Sequence, residues 1–250
     1  GINCEMTNIF FEASDAGAQA SYSWNFGGYG QPSSASGKGP HSIQFNVPDN
    51  SIVPIQVSLT VVKDGCQASS NANFEIRSNV IVTAINPTSP ASCGGNSGAI
   101  NIQATYPAGT NIQVSLNGGN SWQPQDQLSF TGLTAGVYDI KVRYADGLCA
   151  IAAGSVTLSD PIQPKAQINS HYTEECTGTV VTFVAEHVTG SSTYQWNFGE
   201  DAAPATGSGE GPINVIYSTP GPKTVSLLVE RNGCTNTDNE LFNIVQPFEN

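Results

Sequence analysis

One six-residue pattern occurs twice in this sequence and constrains what the chain can fold into. Residues 22–27 read Tyr-Ser-Trp-Asn-Phe-Gly, and residues 194–199 read Tyr-Gln-Trp-Asn-Phe-Gly. In both copies large apolar residues alternate with polar ones before a glycine, which is typical of a strand with one buried face. Because one buried tryptophan contributes about 150–250 Å², we expect each copy to form the centre of a small β-sandwich. The predicted core residues are Trp24, Phe26, Trp196 and Phe198.

The surroundings of the two tryptophans are repeated as well. A cysteine stands 20 residues before each tryptophan, and a Gly-x-Gly-Pro turn begins 13 residues after it. A Gly-Cys pair follows near the end of each copy, at residues 65–66 and 233–234. Such spacing indicates two copies of one module. We name residues 1–78 the first repeat, residues 79–160 the middle segment and residues 161–250 the second repeat, and we predict one domain for each.

The composition favours strands over helices. The 250 residues include 26 Gly and 15 Pro, and only 11% are charged. Short runs of alternating apolar residues, separated by turns every 8–12 residues, are typical of β-sandwiches. With 38% hydrophobic residues the chain is too apolar for a disordered protein. The predicted fold class is therefore all-β, with three sandwiches in tandem.

The charge balance argues against two kinds of partner. Eight basic and 20 acidic residues give a net charge of −12, whereas nucleic acids and anionic membranes attract basic surfaces. No run of 18 apolar residues occurs, so we expect no membrane span. The sequence begins within a repeat and without a signal peptide. We therefore expect a mature fragment of a longer polypeptide, whose neighbouring domains are its first partners.

The six cysteines fall as one pair in each predicted module. They are Cys4 and Cys66, Cys93 and Cys149, and Cys176 and Cys234. The pairs are separated by 62, 56 and 58 residues, and no Cys-x-x-Cys or Cys/His cluster has the spacing of a zinc site. Disulfides formed in an exporting compartment are the better interpretation. The sequence alone leaves their connectivity open; the repeat favours Cys4–Cys66, Cys93–Cys149 and Cys176–Cys234.

Catalysis is not predicted. The three histidines, His41, His171 and His187, belong to no recognisable nucleophile or metal motif. The acidic pairs at 174–175 and 200–201 lie in polar surroundings that would not raise a carboxyl pKa for acid–base work. We read all of these residues as surface or strand-end positions.

Calcium is a weaker alternative for the acidic residues beside the second Trp-Asn-Phe-Gly strand. Glu200, Asp201 and Glu210 flank one loop, and Ca²⁺ takes oxygen ligands from such loops. No EF-hand pattern is present. Apart from this calcium site, no cofactor is expected.

Three motifs connect the second repeat to a known family. They are Cys176-x-Gly178-x-x-Val181-x-Phe183, Tyr194-x-Trp196-Asn197-Phe198-Gly199 and Tyr217-x-x-Pro220-Gly221-x-x-Thr224-Val225-x-Leu227-x-Val229. On these motifs, residues 161–250 resemble a PKD (polycystic kidney disease-type) domain, in the disulfide-bearing version common in exported proteins of Bacteroidetes. The first repeat matches less fully, and in both repeats Asn stands where the usual motif has Asp.

The middle segment is similar to another repeat. Its motifs are Cys93-Gly94-Gly95-Asn96-Ser97-Gly98, Leu116-Asn117-Gly118-Gly119, Leu133-x-Ala135-Gly136-x-Tyr138 and Asp146-Gly147-x-Cys149. These resemble the repeat of gliding-motility surface adhesins such as SprB. The two resemblances together imply Ig-like β-sandwiches in a bacterial cell-surface or secreted protein, with no shared catalytic residues.

Two functions follow from the resemblance. The first is a non-catalytic stalk or adhesive segment with a protein or glycan ligand, which could self-associate into a fibre. The second is a carbohydrate-binding accessory region of a secreted hydrolase. The second needs exposed coplanar aromatic residues, and Tyr29 and Trp122 are the only candidates that we place outside a core. The first function is therefore preferred.

Overall fold

The computed structural model describes residues 1–175 and 178–245. Every helix or strand assigned within these ranges is a β-strand, which confirms the all-β class. Strands dominate because apolar residues alternate with polar ones and because Gly, Pro, Asn and Ser supply the turns. No helix in the described part of the chain is long and apolar enough to cross a membrane.

The chain divides into two compact units. Unit 1 comprises Gly1–Pro87, Ile100–Phe130 and Val137–Thr157. Unit 2 comprises Thr88–Ala99, Thr131–Gly136 and Leu158–Asn250. Unit 1 thus joins the first repeat to most of the middle segment, and unit 2 joins the second repeat to two short pieces of it. The division into three domains at residues 78–79 and 160–161 stays a prediction.

The first repeat forms eight strands in two sheets. They are β1 (Ile2–Cys4), β2 (Ile9–Phe11), β3 (Ser21–Asn25), β4 (Gly30–Gln31), β5 (Ser34–Ser36), β6 (His41–Phe45), β7 (Ile52–Lys63) and β8 (Cys66–Arg77). One sheet has the order β1-β8-β7-β3-β5 and the other the order β2-β6-β4. The core strand β3 lies between β7 and β5 in the larger sheet, where Trp24 lies opposite Leu59 of β7.

The middle segment forms six strands in two three-stranded sheets. They are β9 (Ile81–Thr88), β10 (Gly98–Thr105), β11 (Ile112–Ser115), β12 (Ser129–Leu133), β13 (Gly136–Tyr144) and β14 (Ile151–Leu158). The sheet orders are β12-β10-β9 and β11-β13-β14. Alternating residues of β11 and β13 are fully buried, among them Ile112, Val114, Ile140 and Val142, as expected for strands with one face in a core.

The second repeat forms the last eight strands. They are β15 (Ile168–Glu175), β16 (Gly178–Ala185), β17 (Thr193–Asn197), β18 (Ala202–Ala203), β19 (Thr206–Ser208), β20 (Ile213–Tyr217), β21 (Gly221–Arg231) and β22 (Cys234–Ile244). The sheet orders are β15-β16-β20-β18 and β19-β17-β21-β22. Trp196 lies opposite Leu227 of β21, so β17 and β21 reproduce the pairing of β3 and β7.

Aromatic rings fill the core between the two sheets of each repeat. The exposed fractions are 8% for Trp24, 0% for Phe26, 3% for Trp196 and 0% for Phe198. The rings of Trp24 and Phe26 are stacked with their centroids 5.9 Å apart, and the centroids of Trp196 and Phe198 are 5.7 Å apart. The tryptophan and phenylalanine of the motif therefore form an equivalent stacked pair in each repeat.

Candidate functional site

The tryptophan and asparagine side chains of each Trp-Asn-Phe-Gly motif form hydrogen bonds within their own repeat. The indole N–H of Trp24 donates to the carbonyl of Gly37 at 3.0 Å, and that of Trp196 donates to the carbonyl of Gly209 at 2.8 Å. Each motif asparagine accepts a hydrogen bond through its side-chain oxygen from the backbone N–H of the glycine two residues later. These bonds fix the turn after the core strand, so the motif has a structural role.

The Gly-x-Gly-Pro turn is repeated because backbone atoms approach each other closely there. Gly39 and Gly211 have φ angles of +99° and +101°, in the region that favours glycine. A Cβ atom on either residue would lie 2.6 Å from a backbone oxygen, that of Phe11 or that of Phe183. No larger residue fits this turn without moving the neighbouring strand.

The first disulfide differs from the expected Cys4–Cys66 pair. Cys4 bonds to Cys149, with the two Cα atoms 5.4 Å apart. In the register of the first sheet Cys4 lies beside Arg77, at one end of β8, whereas Cys66 begins the same strand. A strand of this length spans about 37 Å, while a disulfide needs Cα atoms within about 7 Å. The predicted Cys4–Cys66 bond is therefore wrong.

The second disulfide also joins a repeat to the middle segment. Cys93 bonds to Cys234, with the Cα atoms 4.9 Å apart. Both cysteines belong to unit 2, whereas Cys4 and Cys149 belong to unit 1. The predicted bonds Cys93–Cys149 and Cys176–Cys234 are thus wrong too, and Cys176 itself lies outside the described residues. Equal spacing within modules did not reveal which cysteines meet in space.

Cys66 is a free, exposed thiol. It follows the β7–β8 turn at the position that Cys234 holds after the β21–β22 turn, since Lys63 pairs with Cys66 and Arg231 with Cys234. Only in the second repeat does a cysteine of the middle segment reach this position: the N–H of Cys93 donates to the carbonyl of Asn232 at 3.0 Å. The two repeats therefore use equivalent hairpins differently.

A buried arginine joins the first repeat to the middle segment within unit 1. Arg77 is 4% exposed, and its Nη2 donates to Oδ2 of Asp146 at 2.8 Å. Its guanidinium carbon lies 3.7 Å from the ring centroid of Tyr144. The hydroxyl of Tyr144 in turn donates to the carbonyl of Ser78 at 2.7 Å. We name Arg77, Ser78, Tyr144 and Asp146 the arginine joint.

Electrostatics within the arginine joint favour the ion pair. Burial acts to raise the pKa of Asp146, but hydrogen bonds from the Leu148 N–H and the Arg77 guanidinium outweigh it, so this pKa lies below its ordinary value. Burial raises the pKa of the Tyr144 phenol, against the opposing effect of Arg77. Asp146 is consequently ionised and Tyr144 neutral at ordinary pH. Sequence reasoning missed this cluster, because no local pattern marks Arg77 as buried.

Polar contacts surround the second disulfide in unit 2. The N–H of Gly94 donates to Oδ1 of Asp160 at 3.1 Å, which binds the cysteine loop to the last residue of the middle segment. Arg231 donates to the carbonyl of Ile162 at 3.3 Å, and Asn236 donates to that of Pro164 at 3.0 Å. The segment that leads into the second repeat is therefore fixed by side chains of β21 and β22.

Two of the three histidines considered for catalysis have hydrogen-bond partners of their own. Nε2 of His41 lies 3.1 Å from the Gly37 carbonyl, and its ring contacts Trp24 edge-on. Nδ1 of His187 lies 2.8 Å from Oε2 of Glu210. His171 is an exposed residue of β15. The side chains of Glu174 and Glu175 lie outside the described part of the structure.

The three residues of the predicted calcium site are not brought together. The Asp201 carboxylate accepts a hydrogen bond from Thr219 at 2.6 Å and one from Lys223 at 3.2 Å. Both contacts lower the pKa of Asp201, and the hydrogen bond from Thr219 has the larger effect. Glu210 pairs with His187, and Glu200 is exposed. Residues 1–175 and 178–245 contain no group of three His, Cys, Asp or Glu residues placed to hold a metal ion. The calcium site stays a prediction.

The aromatic residues proposed as outward-facing differ in their surroundings. Tyr29 is 39% exposed. Trp122 is half-buried, and the guanidinium carbon of Arg143 lies 4.0 Å from its ring centroid. Because the arginine covers one ring face, that face is closed to a stacked sugar.

Comparison with known proteins supports the family resemblance of the second repeat. Residues 161–244 match the family model of the PKD-like domain, which confirms the PKD resemblance there. The search of curated proteins gave no match.

Several multi-domain proteins of known structure are similar over most of this chain. An E-to-A mutated variant of titin domains I67–I69 is 10% identical over 95% of this chain and 93% of that chain, with a TM-score of 0.35. The eight N-terminal Ig domains of DSCAM are 10% identical over 96% of this chain and 34% of that one, with a TM-score of 0.32. The chicken CNTN1 FN1–FN3 domains are 8% identical over 96% and 98%, with a TM-score of 0.25. At these scores the similarities support no conclusion about this chain.

Proposed function

We propose that this chain is a non-catalytic structural and adhesive segment of a larger bacterial cell-surface or secreted protein, in which it acts as a stalk. The observation that carries the proposal is the pattern of covalent bonds. Each disulfide joins residues more than 140 positions apart and connects a repeat to the middle segment. Such bonds limit how far a stalk extends under load.

The two loops closed by the disulfides overlap along the sequence. One loop runs from Cys4 to Cys149 and the other from Cys93 to Cys234. The shortest covalent path from end to end crosses both bonds and uses only about 75 of the 250 residues. At about 3.5 Å per extended residue, the oxidised chain reaches roughly 260 Å even when fully unfolded, against roughly 870 Å after reduction.

The assignment to a bacterial cell surface rests on the sequence motifs. The PKD-like second repeat and the similarity of the middle segment to repeats of gliding-motility adhesins support a place on the surface of a gliding bacterium. Disulfides are stable in such an exported, oxidising setting. The partners we propose are neighbouring domains of the same polypeptide, a protein or glycan on another surface, and further copies of the chain in a fibre.

The location is tested on intact cells of the source organism. Antibodies raised against the folded chain should label unlysed cells or detect the protein in the medium, and protease treatment of unlysed cells should remove the surface label. Label that appears only after lysis would contradict the proposal.

The load-limiting role is tested by pulling single molecules from both ends. The oxidised chain should stop at about a third of the contour length that it reaches in dithiothreitol. The variant Cys149→Ser is the matched control, because it opens one loop and should give an intermediate length in oxidising buffer. An oxidised chain that extends as far as the reduced one would contradict the role.

The accessory carbohydrate-binding function finds less support. A flat polysaccharide surface needs open aromatic faces, and Arg143 covers a face of Trp122. We therefore do not propose it.

A further inference from the structure

Two positively charged residues lie side by side on the outer face of the middle segment. In β13 the alternate residues Ile140 and Val142 are 1% and 0% exposed, so Lys141 and Arg143 lie on the opposite face of the strand. Both are half-buried. Across the sheet Arg143 lies opposite Gln113 of β11. All of these residues belong to unit 1.

The groups that hold Arg143 in place are neutral. Its Nε and Nη2 both donate to Oε1 of Gln113, at 3.1 and 2.9 Å, and its guanidinium carbon lies 4.0 Å from the ring centroid of Trp122. In the part of the chain that the structure describes, the ion pairs are formed by Lys38, Arg77, Lys165, His187 and Lys223. The charges of Lys141 and Arg143 are therefore not neutralised by an acidic side chain there, although the whole chain has a net charge of −12.

The turn after β11 is fixed by its own side chains. The hydroxyl oxygen of Ser115, a fully buried residue, accepts from the N–H of Gly119 at 2.8 Å. The side chain of Asn117 accepts from the N–H of Ser121 at 2.9 Å and donates to the hydroxyl oxygen of Ser121 at 2.8 Å. These bonds determine where the next residue, Trp122, leaves the turn.

The turn brings Trp122 next to both positive charges. Gly119 has a φ angle of +93°, and a Cβ atom on it would lie 3.4 Å from Cδ of Lys141 and 3.5 Å from Cζ2 of Trp122. Lys141 and Trp122 thus flank the same point, and Arg143 covers the indole ring. We name Trp122, Lys141 and Arg143 the cationic face.

Polar groups that suit sugar hydroxyls border the cationic face. Asn120 and Ser121 are exposed and directly precede Trp122. The Ser121 hydroxyl accepts from Asn117, and the Asn120 amide donates to the Asn117 carbonyl at 2.9 Å. A hydroxyl and an amide have more donor and acceptor sites than these bonds use, so both side chains can also bond to a ligand.

The position of Arg143 favours an acidic ligand over a neutral one. It closes one face of Trp122 to a stacked sugar, but it also holds a guanidinium group at a fixed position, and guanidinium groups bind carboxylates strongly. Acidic residues elsewhere on the chain have little influence, because charges more than about 8 Å apart are largely screened at physiological ionic strength. Asp139, which lies about 7 Å from Lys141 along the same face of β13, is close enough to oppose binding.

We propose that the cationic face binds an acidic polysaccharide through its carboxylate groups. The inference rests on the proposed adhesive role and narrows its glycan ligand to one that contains uronic acids. Lys141 and Arg143 pair with carboxylates, and Asn120 and Ser121 bond to the sugar hydroxyls. Because Arg143 and the turn are held in place before the ligand arrives, little conformational freedom is lost on binding. The middle segment is then the adhesive part of the chain.

The test uses the full oxidised chain and a fluorescently labelled oligogalacturonate. Fluorescence anisotropy should show saturable binding that weakens as salt is added. Two ligands of equal length serve as controls: the same oligosaccharide with its carboxyl groups reduced to alcohols, and oligoglutamate. Both should bind at least fivefold more weakly. Absence of saturable binding overturns the proposal, as does equal binding of the neutral sugar. Equal binding of oligoglutamate would show that the face recognises negative charge and not a glycan, which also overturns it.

These outcomes are distinct from those of the proposed function. Loss of oligogalacturonate binding leaves the surface labelling of cells and the extension limit of the oxidised chain unchanged. It would therefore remove the ligand proposed here and not the stalk.

A charge-removing variant locates the site. Lys141→Gln removes one positive charge, and we expect at least a threefold loss of affinity. Lys38→Gln is the matched control, because it removes the same charge from unit 1 at an exposed residue that is paired with Glu12, and it should bind as the unmodified chain does. Thermal unfolding verifies that both variants fold. Equal affinities of the two variants overturn the assignment to the cationic face.

A gain of affinity provides an independent readout. Asp139 is exposed, and Asp139→Asn removes its negative charge with little change in shape, so we expect at least twofold tighter binding. Asp49→Asn removes the same charge at an exposed residue of the first repeat and should leave the affinity unchanged. Equal affinities of these two variants contradict the proposal.

Tryptophan emission reports contact with the face itself. Trp24 and Trp196 are 8% and 3% exposed, so a change in emission on saturation with unlabelled oligogalacturonate should come from Trp122 and should disappear in Trp122→Phe. An unchanged emission of the unmodified chain, or a change that persists in Trp122→Phe, contradicts binding at the cationic face.

Discussion

The guanidinium carbon of Arg77 lies 3.7 Å from the ring centroid of Tyr144, and this contact joins the end of β8 to the end of β13. Arg77 is also paired with Asp146, which is the more exposed partner: the side chains are 5% and 43% exposed. A buried guanidinium that loses its partner keeps the cost of its burial. The arginine joint therefore makes specific predictions for unit 1.

Asp146→Asn should destabilise unit 1 by about 1–3 kcal/mol, because Arg77 is left buried without its charged partner. Tyr144→Phe should cost about 1–2 kcal/mol through the loss of the hydrogen bond to Ser78. Chemical denaturation measures both. The control is Glu186→Gln, which removes the exposed pair with Lys165 and should change the stability by less than about 1 kcal/mol. Equal effects of Asp146→Asn and Glu186→Gln would contradict the role of the joint.

The pH dependence follows from the lowered pKa of Asp146. A carboxyl group whose pKa is lower in the folded chain contributes stability above its unfolded pKa, and this contribution is lost as the pH falls through the folded value. Unit 1 should therefore lose stability as the pH falls below about 4, and Asp146→Asn should reduce that loss. Thermal unfolding between pH 2 and 6 measures the difference. An identical pH profile for the variant would show that Asp146 is not the group responsible.

The disulfides provide a direct covalent test. Digestion without reduction should give one peptide pair with Cys4 and Cys149 and another with Cys93 and Cys234. Iodoacetamide should label Cys66 in the folded, unreduced chain, because this thiol is exposed and free. A peptide pair that contains Cys4 and Cys66 would contradict the structure and restore pairing within modules.

The tryptophan cores show how far the sequence predicts the fold. Alternation around Trp24 and Trp196 predicted buried strands, because a period of two places every second side chain on one face. The cysteine pairs were predicted wrongly, because separation along the chain does not report distance: β8 carries Cys66 to the far end of the strand from Cys4. The burial of Arg77 was also missed, because it depends on Tyr144, a residue of another segment.

Trp196→Ala should destabilise the second repeat by about 3–5 kcal/mol, as other large-to-small core substitutions do. Trp24→Ala should cost less, because several of the hydrophobic residues that pack against the core around Trp24 are only partly buried. Denaturant unfolding of the two variants compares these costs. A larger loss for Trp24→Ala would contradict the view that the first repeat has the less covered core.

The Gly-x-Gly-Pro turn separates two effects of glycine. Gly209 and Gly211 both have positive φ angles, +87° and +101°, so alanine at either position suffers backbone strain of about 1 kcal/mol or more. At Gly209 a Cβ atom would meet nothing within 4 Å, whereas at Gly211 it would lie 2.6 Å from the carbonyl oxygen of Phe183. Gly211→Ala must therefore also displace β16 or the turn itself. We expect it to be more destabilising than Gly209→Ala by at least about 1 kcal/mol, measured by thermal unfolding, and equal losses would show that only the backbone angle matters at this turn.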